Sequence, residues 1–478
     1  MTQEFNFAEA ILARAQEQPD RVAFRIRDRS ISYARLRQLI LGYGSRLHEL
    51  GINRNARVCI SVVNPVTQIG TSLACALLGC SWVHGNSAAI ANRKLGVTHV
   101  IHRGDQAPPE IGEPLRFDSS WNSGPPADER TFEGFASPDS IWFVAQSSGT
   151  TGATKFMAIS AAAQSRRLAP NPFDYLGDDL PVVCSFMHPL SVYGMEYVLK
   201  PLMMGGTVVI WDDRDPTGLG DVTTVIGSPS QYLQLLSRPV RSKIPCAVIG
   251  GAHCSEQLFD QLLERFELIQ HQFGCSELGR ISFNRFGPGA ENRSSVGKPI
   301  PSAEVQIVDA DDHPLPPGTT GILRMRSDAP ISGYVGEDAV EPFRDGWFYS
   351  GDTGFLSEDG ALTVTGRVNE VVNFGGTKVD ANALDDAINA TEGVKEGACF
   401  VQSGFSPVDE LAILIVPGDS NQAKATAERV HARLAAKFGH SAARRIYVAS
   451  AIPKNENGKI ARQLLGELVA DRVPFTIA

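Results

Sequence analysis

Short apolar runs punctuate the first half of the chain: "ARVCISV" (56–62), "THVIH" (98–102), "SIWFVA" (140–145), "TVVIW" (207–211) and "CAVIG" (246–250). Each is nearly continuous in β-branched and small apolar residues, the pattern of strands buried on both faces. Between them the period changes to that of a helix. "SYARLRQLILGYGSRLHEL" (32–50) and "SEQLFDQLLERF" (255–266) each carry one apolar face, and Ser255 is placed to cap the second. Strands alternating with amphipathic helices predict α/β layers. The stretch 103–139, rich in Pro, Gly, Asp and Ser, reads as a long surface connection.

Beyond about residue 300 the strands shorten: "AEVQIVD", "GILRMRS" and "ALTVTG". After "GR" (366–367) a compact α+β unit is predicted, with strands near 370–374, 397–403, 410–416 and 445–449. Between them lie "DANALDDAINA" and "NQAKATAERVHARLAAKF", where Ala427, Val430, Leu434 and Phe438 share one helical face. The reading is therefore a multidomain α/β protein, with a large N-terminal domain (1–366) and a small C-terminal one (367–478).

Composition narrows this little but excludes some classes. A chain of 478 residues is too long for a single hydrophobic core. A net charge of −9 disfavours long-range attraction to nucleic acid or to acidic membranes. The eight cysteines are scattered, without a CxxC pair, as in a cytoplasmic protein with reduced thiols. The first residues, "MTQEFNFAEAILARAQ", mix acids with apolar residues and do not read as a signal peptide, and no apolar run is long enough for a membrane span.

Chemistry enters at "QSSGTTGATKFM" (146–157), directly after the "SIWFVA" strand. A turn of glycine, serine and threonine presents backbone N–H groups and hydroxyls, which together cradle phosphate oxygens. Lys155 adds a point charge. The loop is not a Walker A sequence, because Thr154 and Phe156 stand where that pattern needs glycine and Ser/Thr. Alone, it is equally an ordinary flexible turn with a solvated lysine.

Other stretches decide between the two. In chain order come "ISYARLR" (31–37), "ALLGCSWV" (76–83), "SSGTTGATK", "HPLSVYG" (188–194), "IGGAH" (249–253), "FGCSE" (273–277), "SVGKPIP" (295–301), "WFYSGDTG" (347–354), "GRVNEVVNFGG" (366–376) and "PKNENGK" (453–459). Together they resemble the adenylate-forming superfamily, which holds acyl- and aryl-CoA ligases, luciferases and peptide-synthetase adenylation domains. The resemblance implies stacked α/β sheets with a distorted β-barrel in the large domain and a small mobile lid. It also implies ATP and Mg²⁺ as reactants, with a carboxylic acid activated to acyl-AMP.

The same resemblance distributes roles. Ser147, Ser148, Gly149, Thr150, Thr151 and Gly152 would wrap the β- and γ-phosphates, with Lys155 assisting. Glu277 would hold Mg²⁺ and Ser276 would bond near the α-phosphate; the plain alternative for Glu277 is a carboxylate at a helix N-terminus. Asp352 would take the ribose hydroxyls, a task suited to the two oxygens of a carboxylate, unless it is simply a turn residue. Arg367 would touch ribose or phosphate. Adenine would lie between Gly251–Ala252 and Phe273. Lys459 would bridge the carboxylate and the α-phosphate, swung in by a hinge at Asn369.

Ser191, Val192, Tyr193, Gly250, Gly251, Cys275 and Leu278 would line the acid pocket. Val192 stands where amino-acid-activating relatives hold an aspartate, so an ammonium there would lose its counter-charge. The expected acid is aromatic or of medium length. Gly375 and Gly376 match the place where a pantetheine arm threads past the backbone, favouring CoA as acceptor over an acyl carrier protein or an amine. Ala153–Thr154, Phe156, Ile322 and Ala383 depart from the family pattern, and Phe156 replaces a glycine with a residue that resists positive φ. The rival class is a non-catalytic nucleotide- or acyl-binding relative, against which the presence of Lys155, Glu277, Asp352, Arg367 and Lys459 weighs.

Overall fold

The computed structural model describes residues 6–85, 93–104, 111–123, 132–148, 154–211, 219–236, 243–335, 343–368, 371–374, 377–402, 410–438, 445–454 and 460–476. Asn369, Gly375, Gly376, Lys459 and the loop residues Gly149, Thr150, Thr151 and Gly152 lie outside them.

Two large sheets dominate. The first orders eight strands as Gly279–Phe286, Phe266–Cys275, Ile244–Ile249, Thr224–Gly227, Val182–Ser185, Thr207–Ile210, Val22–Ile26 and Arg29–Ser32. Its six central strands run parallel, and an antiparallel hairpin closes each edge. The second sheet runs Gly333–Tyr334, Thr154–Ser160, Ile141–Ser148, Ser81–His84, Arg57–Ser61, His99–His102 and Glu113–Arg116. All five expected strands of the first half are present.

Helices Phe7–Glu17, Tyr33–Glu49, Pro65–Leu78 and Val192–Met204 pack with both sheets into one shared core. Phe24 and Val208 come from one sheet, Trp82 and Phe143 from the other, and Leu36, Ile69 and Met195 from the helices. Capping follows the sequence. Ser32 accepts from the Arg35 N–H (3.2 Å) and Ser255 from the Leu258 N–H (3.3 Å), each satisfying a donor at a helix start.

The expected surface connection at 103–139 is corrected in part. Its residues Glu113–Arg116 form the edge strand of the second sheet, and Phe117 and Trp121 are buried against Tyr43. Three large apolar side chains within seven residues outweigh the turn-rich composition around them. A second correction concerns Phe156. It lies in an extended strand opposite Gln146, 3% exposed, packed with Cys59, Val83 and Val144, so no positive φ is asked of it.

The third sheet is antiparallel and built from Ala303–Val308, Gly321–Ser327, Trp347–Leu356, Phe343–Arg344 and Leu362–Arg367. Past it, the hairpin Val371–Phe374/Thr377–Asp380 precedes a four-stranded sheet of Val394–Gln402, Glu410–Pro417, Arg445–Val448 and Phe475–Thr476. Helices Ala381–Asn389 and Ala423–Phe438 cover one face of it, with Ala427, Val430 and Leu434 fully buried as their spacing predicts. Tyr447, Leu465 and Val469 fill a separate core on the other face. All eight cysteines are free, and seven are buried.

Candidate active site

Parallel strands Ile244–Ile249 and Phe266–Cys275 end side by side, with Ile249 opposite His271. Such carboxyl ends leave a crevice where ligands bind in open α/β sheets. Two segments line it: the turn Gly250–His253 and the strand end Gln272–Cys275, followed by the hairpin turn at 276–278. The candidate residues for adenine, Gly251, Ala252 and Phe273, fall on these segments. Gly251 holds φ +83°, a region that side chains avoid. A Cβ on Gly250 would sit 2.9 Å from the Gln272 carbonyl oxygen, so only glycine leaves this wall open.

Glu277 occupies the hairpin turn rather than a helix start, which removes the helix-dipole alternative. Its Oε1 accepts from the Tyr334 hydroxyl (2.9 Å), and its carbonyl accepts from Ile331 N–H (2.8 Å) and Arg167 Nη2 (3.2 Å). Ser276 precedes it in the turn. Lys155 comes from the other large sheet, in the strand Thr154–Ser160, opposite Ser147. Its Nζ stands 5.2 Å from the centre of the Tyr334 ring. One tyrosine therefore joins the lysine of the glycine-rich loop to the carboxylate proposed for the metal. The loop itself connects two antiparallel strands, and Ser147 and Ser148 close the first of them.

Asp352 and Arg367, also predicted separately, are cross-strand partners in the third sheet. Arg367 Nε lies 2.8 Å from Asp352 Oδ1, and Asp352 is only 7% exposed. The pairing orients the carboxylate.

The pocket residues are less uniform. Ser191 caps the helix Val192–Met204: its hydroxyl accepts from Gly194 N–H (3.0 Å) and donates to His188 carbonyl (2.8 Å). Val192 is buried. Leu278 packs in the core under the third sheet with Val305, Leu323 and Phe348, and Phe273 and Cys275 lie against that core. Burial pushes the Cys275 thiol well up, so it is no nucleophile. Tyr193 stays by the crevice, its hydroxyl 3.7 Å from where a Cβ of Gly250 would lie.

Sequence reasoning missed Tyr334, Gln272, Glu196, Arg280 and Arg167. Glu196 could have been found, because it stands four residues after Val192 on the same helical face. Tyr334 could not, since its placement depends on pairing Gly333–Tyr334 with Ala158 and Met157, far away in sequence.

Fold and crevice together define a nucleotide-handling α/β enzyme class. A family model described as AMP-binding enzyme matches residues 11–335, and the chain belongs to that family. It is 25% identical to the anthranilate–CoA ligase of Pseudomonas aeruginosa, over 96% of this chain and 95% of the relative. It is 24% identical to a feruloyl-CoA synthase of an Amycolatopsis species, over 94% and 96%. Among solved structures, the o-succinylbenzoate CoA synthetase (MenE) of Bacillus subtilis, in complex with the acyl-adenylate intermediate, superposes with a TM-score of 0.83 at 19% identity, covering 95% of this chain and 97% of that one.

Proposed function

We propose that this chain activates a small carboxylic acid with ATP and transfers the acyl group to a thiol, with CoA the favoured acceptor. A carboxylate oxygen attacks the α-phosphorus, the bond to the β-phosphate oxygen breaks, and pyrophosphate leaves. A thiolate sulfur then attacks the acyl carbon, and AMP leaves. The observation that carries the reading is the meeting of Lys155 and Glu277 at Tyr334. Two anions must approach each other, so the chemistry is mainly charge neutralisation and alignment. The CoA ligase relatives support the same reaction class.

Residue roles are taken from the family resemblance. Lys155 and residues 147–152 hold the outer phosphates, and Asp352, oriented by Arg367, holds the ribose. Glu277 is the carboxylate fitted to Mg²⁺: it is an oxygen donor, partly exposed in a turn, and held by a neutral hydroxyl rather than by a cation. Magnesium, when bound, supplies positive charge against the phosphate oxygens. The small unit, 367–478, acts as a lid hinged at Asn369 and brings Lys459 to the reacting carboxylate. Gly375 and Gly376 line the thiol's path, whether the pantetheine arm belongs to CoA or to a carrier protein. No helix of the described residues is long and apolar enough to cross a membrane.

Exchange of labelled pyrophosphate into ATP, run over aryl, aliphatic and amino acids, tests this. At least one carboxylic acid should drive exchange, and Lys459→Ala should slow it on the order of a hundredfold or more. Exchange driven by no acid while ATP still binds would establish the non-catalytic reading instead.

A further inference from the structure

Behind the crevice lies a buried charged cluster that the reaction outlined above does not use. Arg280 sits on the strand Gly279–Phe286, and Glu196 on the helix Val192–Met204, with side chains 7% and 5% exposed. Their nearest nitrogen–oxygen distance is 4.0 Å, beyond hydrogen-bond reach. The Arg280 Nε is buried and donates to nothing. Its guanidinium carbon lies 6.0 Å from the Tyr197 ring centre. Tyr197 in turn donates its hydroxyl to Gln272 (2.9 Å) and meets the Tyr193 ring edge-on at 5.2 Å. The Tyr193 hydroxyl, beside Gly250, is also buried without a hydrogen-bond partner.

Charge balance makes the cluster unusual. Arg167, Lys200 and Arg280 line a recess that holds one carboxylate, Glu196. Arg167 donates to the carbonyls of Ala329 and Glu277 and feels the Glu277 carboxylate besides Glu196, while Lys200 donates to the carbonyls of Leu168 and Ala169, so three cations share two carboxylates. Burial pushes the Glu196 carboxyl up, an effect opposed by Arg280 and Arg167. A buried guanidinium short of both negative charge and acceptors is costly, and so is a dry phenol. An apolar acyl tail would leave both unsatisfied. An ammonium would add like charge. A hydroxyl would answer Tyr193 but not the excess of cations.

We propose that the acid pocket selects a substrate bearing a second carboxylate, which accepts from Tyr193 Oη and Arg280 Nε while its first carboxylate is activated. This refines the expectation of a plain aromatic or medium-length acid and rests on the adenylation reading of the same site. A carboxylate is the group whose planar pair of acceptors matches a guanidinium edge plus one hydroxyl. Glu196 then serves to hold Arg280 in place rather than to receive substrate.

Matched diacids and their mono-amides, equal in shape and differing in charge, provide the test. Pyrophosphate release should favour the best diacid over its mono-amide in kcat/KM by on the order of a hundredfold or more. Arg280→Met should reduce that ratio at least about tenfold, chiefly through KM of the diacid, and Tyr193→Phe should reduce it by less. Ratios near one for every pair in the unaltered enzyme would overturn the proposal while leaving adenylation intact. So would a preference that neither substitution moves. Absence of turnover with any acid would instead defeat the adenylation reading, and this proposal with it. Should Arg280→Met fail to fold, the wild-type ratio and Tyr193→Phe, which removes a single oxygen, decide the matter alone.

Discussion

Arg462 with Asp385 in the small C-terminal unit, and Arg280 with Glu196 beside the crevice, are both arginine–carboxylate pairs with a buried carboxylate, but they are built differently. Arg462 places Nη2 2.5 Å and Nη1 3.3 Å from the Asp385 oxygens, and Nη1 also donates to the Cys399 carbonyl (2.7 Å). Asp385 accepts in addition from the Cys399 N–H (2.7 Å). Every strong group there has a partner inside the protein. Arg280 and Glu196 stand 4.0 Å apart, with the Arg280 Nε unused. The first pair reads as architecture, closed on itself. The second reads as a site because its unused donor falls in one cluster with a second one, the Tyr193 hydroxyl beside Gly250.

The strongest way to break this contrast is to make the same change in both places. Arg462→Met strands Asp385, whose carboxyl burial already pushes upward against the pull of Arg462. Unfolding of the C-terminal unit, followed in urea, should become easier by about 3–5 kcal/mol. Arg462 also lies three residues past Lys459, so adenylation should fall with it. Arg280→Met should cost less, about 1–2 kcal/mol, because the lost pair is a loose 4.0 Å one and Arg167 remains to act on the Glu196 carboxylate left behind. Equal losses from the two substitutions would erase the distinction between scaffold and site.

The same distinction explains what was legible in the sequence. Strands such as 244–249 and helices such as 423–438 announce themselves by local period and are found where expected. Asp352 and Arg367 each carry a motif in the sequence, and strand pairing brings them to 2.8 Å. The specificity side of the crevice was not legible. Tyr193 and Gly250 were named for the pocket, yet Arg280, Arg167 and Gln272 come from distant strands and helices with no local pattern. Their meaning lies in missing partners, and a missing partner exists only in three dimensions. Val192 argues against an ammonium at that position, but one turn later Glu196 supplies a carboxylate whose purpose depends on Arg280.

His271 sharpens the comparison as a buried polar group whose Nδ1 has no partner but which is not at the crevice. It stacks edge-on to Phe259 at 5.1 Å, and burial pushes its pKa down to about 4, with His253 also lowering it and the carbonyls of Arg293 and Ser295 opposing. The folded state therefore holds fewer protons than the unfolded one between about pH 6.5 and 4. Stability is complete above that window and declines as pH falls through it. At pH 5 the loss from this residue is about 2 kcal/mol relative to pH 7.5. Urea midpoints at the two pH values measure it, and His271→Phe should flatten the slope. An unchanged slope would mean that His271 does not enter the folded state neutral.

The smallest effect belongs to a third kind of charged contact, neither closed nor waiting. His253 Nε2 lies 2.7 Å from Asp386 Oδ2, both side chains well exposed, and it joins the Gly250–His253 turn of the crevice to the helix Ala381–Asn389. Exposed pairs of this type contribute about 0.2–1 kcal/mol. Asp386→Ala should thus barely change the urea midpoint. Its neighbour Asp385 faces inward to Arg462, so two adjacent aspartates divide the roles of scaffold and contact. If the lid rotates between adenylation and thioester formation, this pair exists in one arrangement only, and removing it shifts the balance by the same small energy. The expected result is a change of up to about fivefold in the ratio of the two half-reaction rates, measured separately in single-turnover experiments. A ratio unaltered by Asp386→Ala would mean that the contact is spectator to both arrangements, and a large loss of stability would place Asp386 with the closed pair instead.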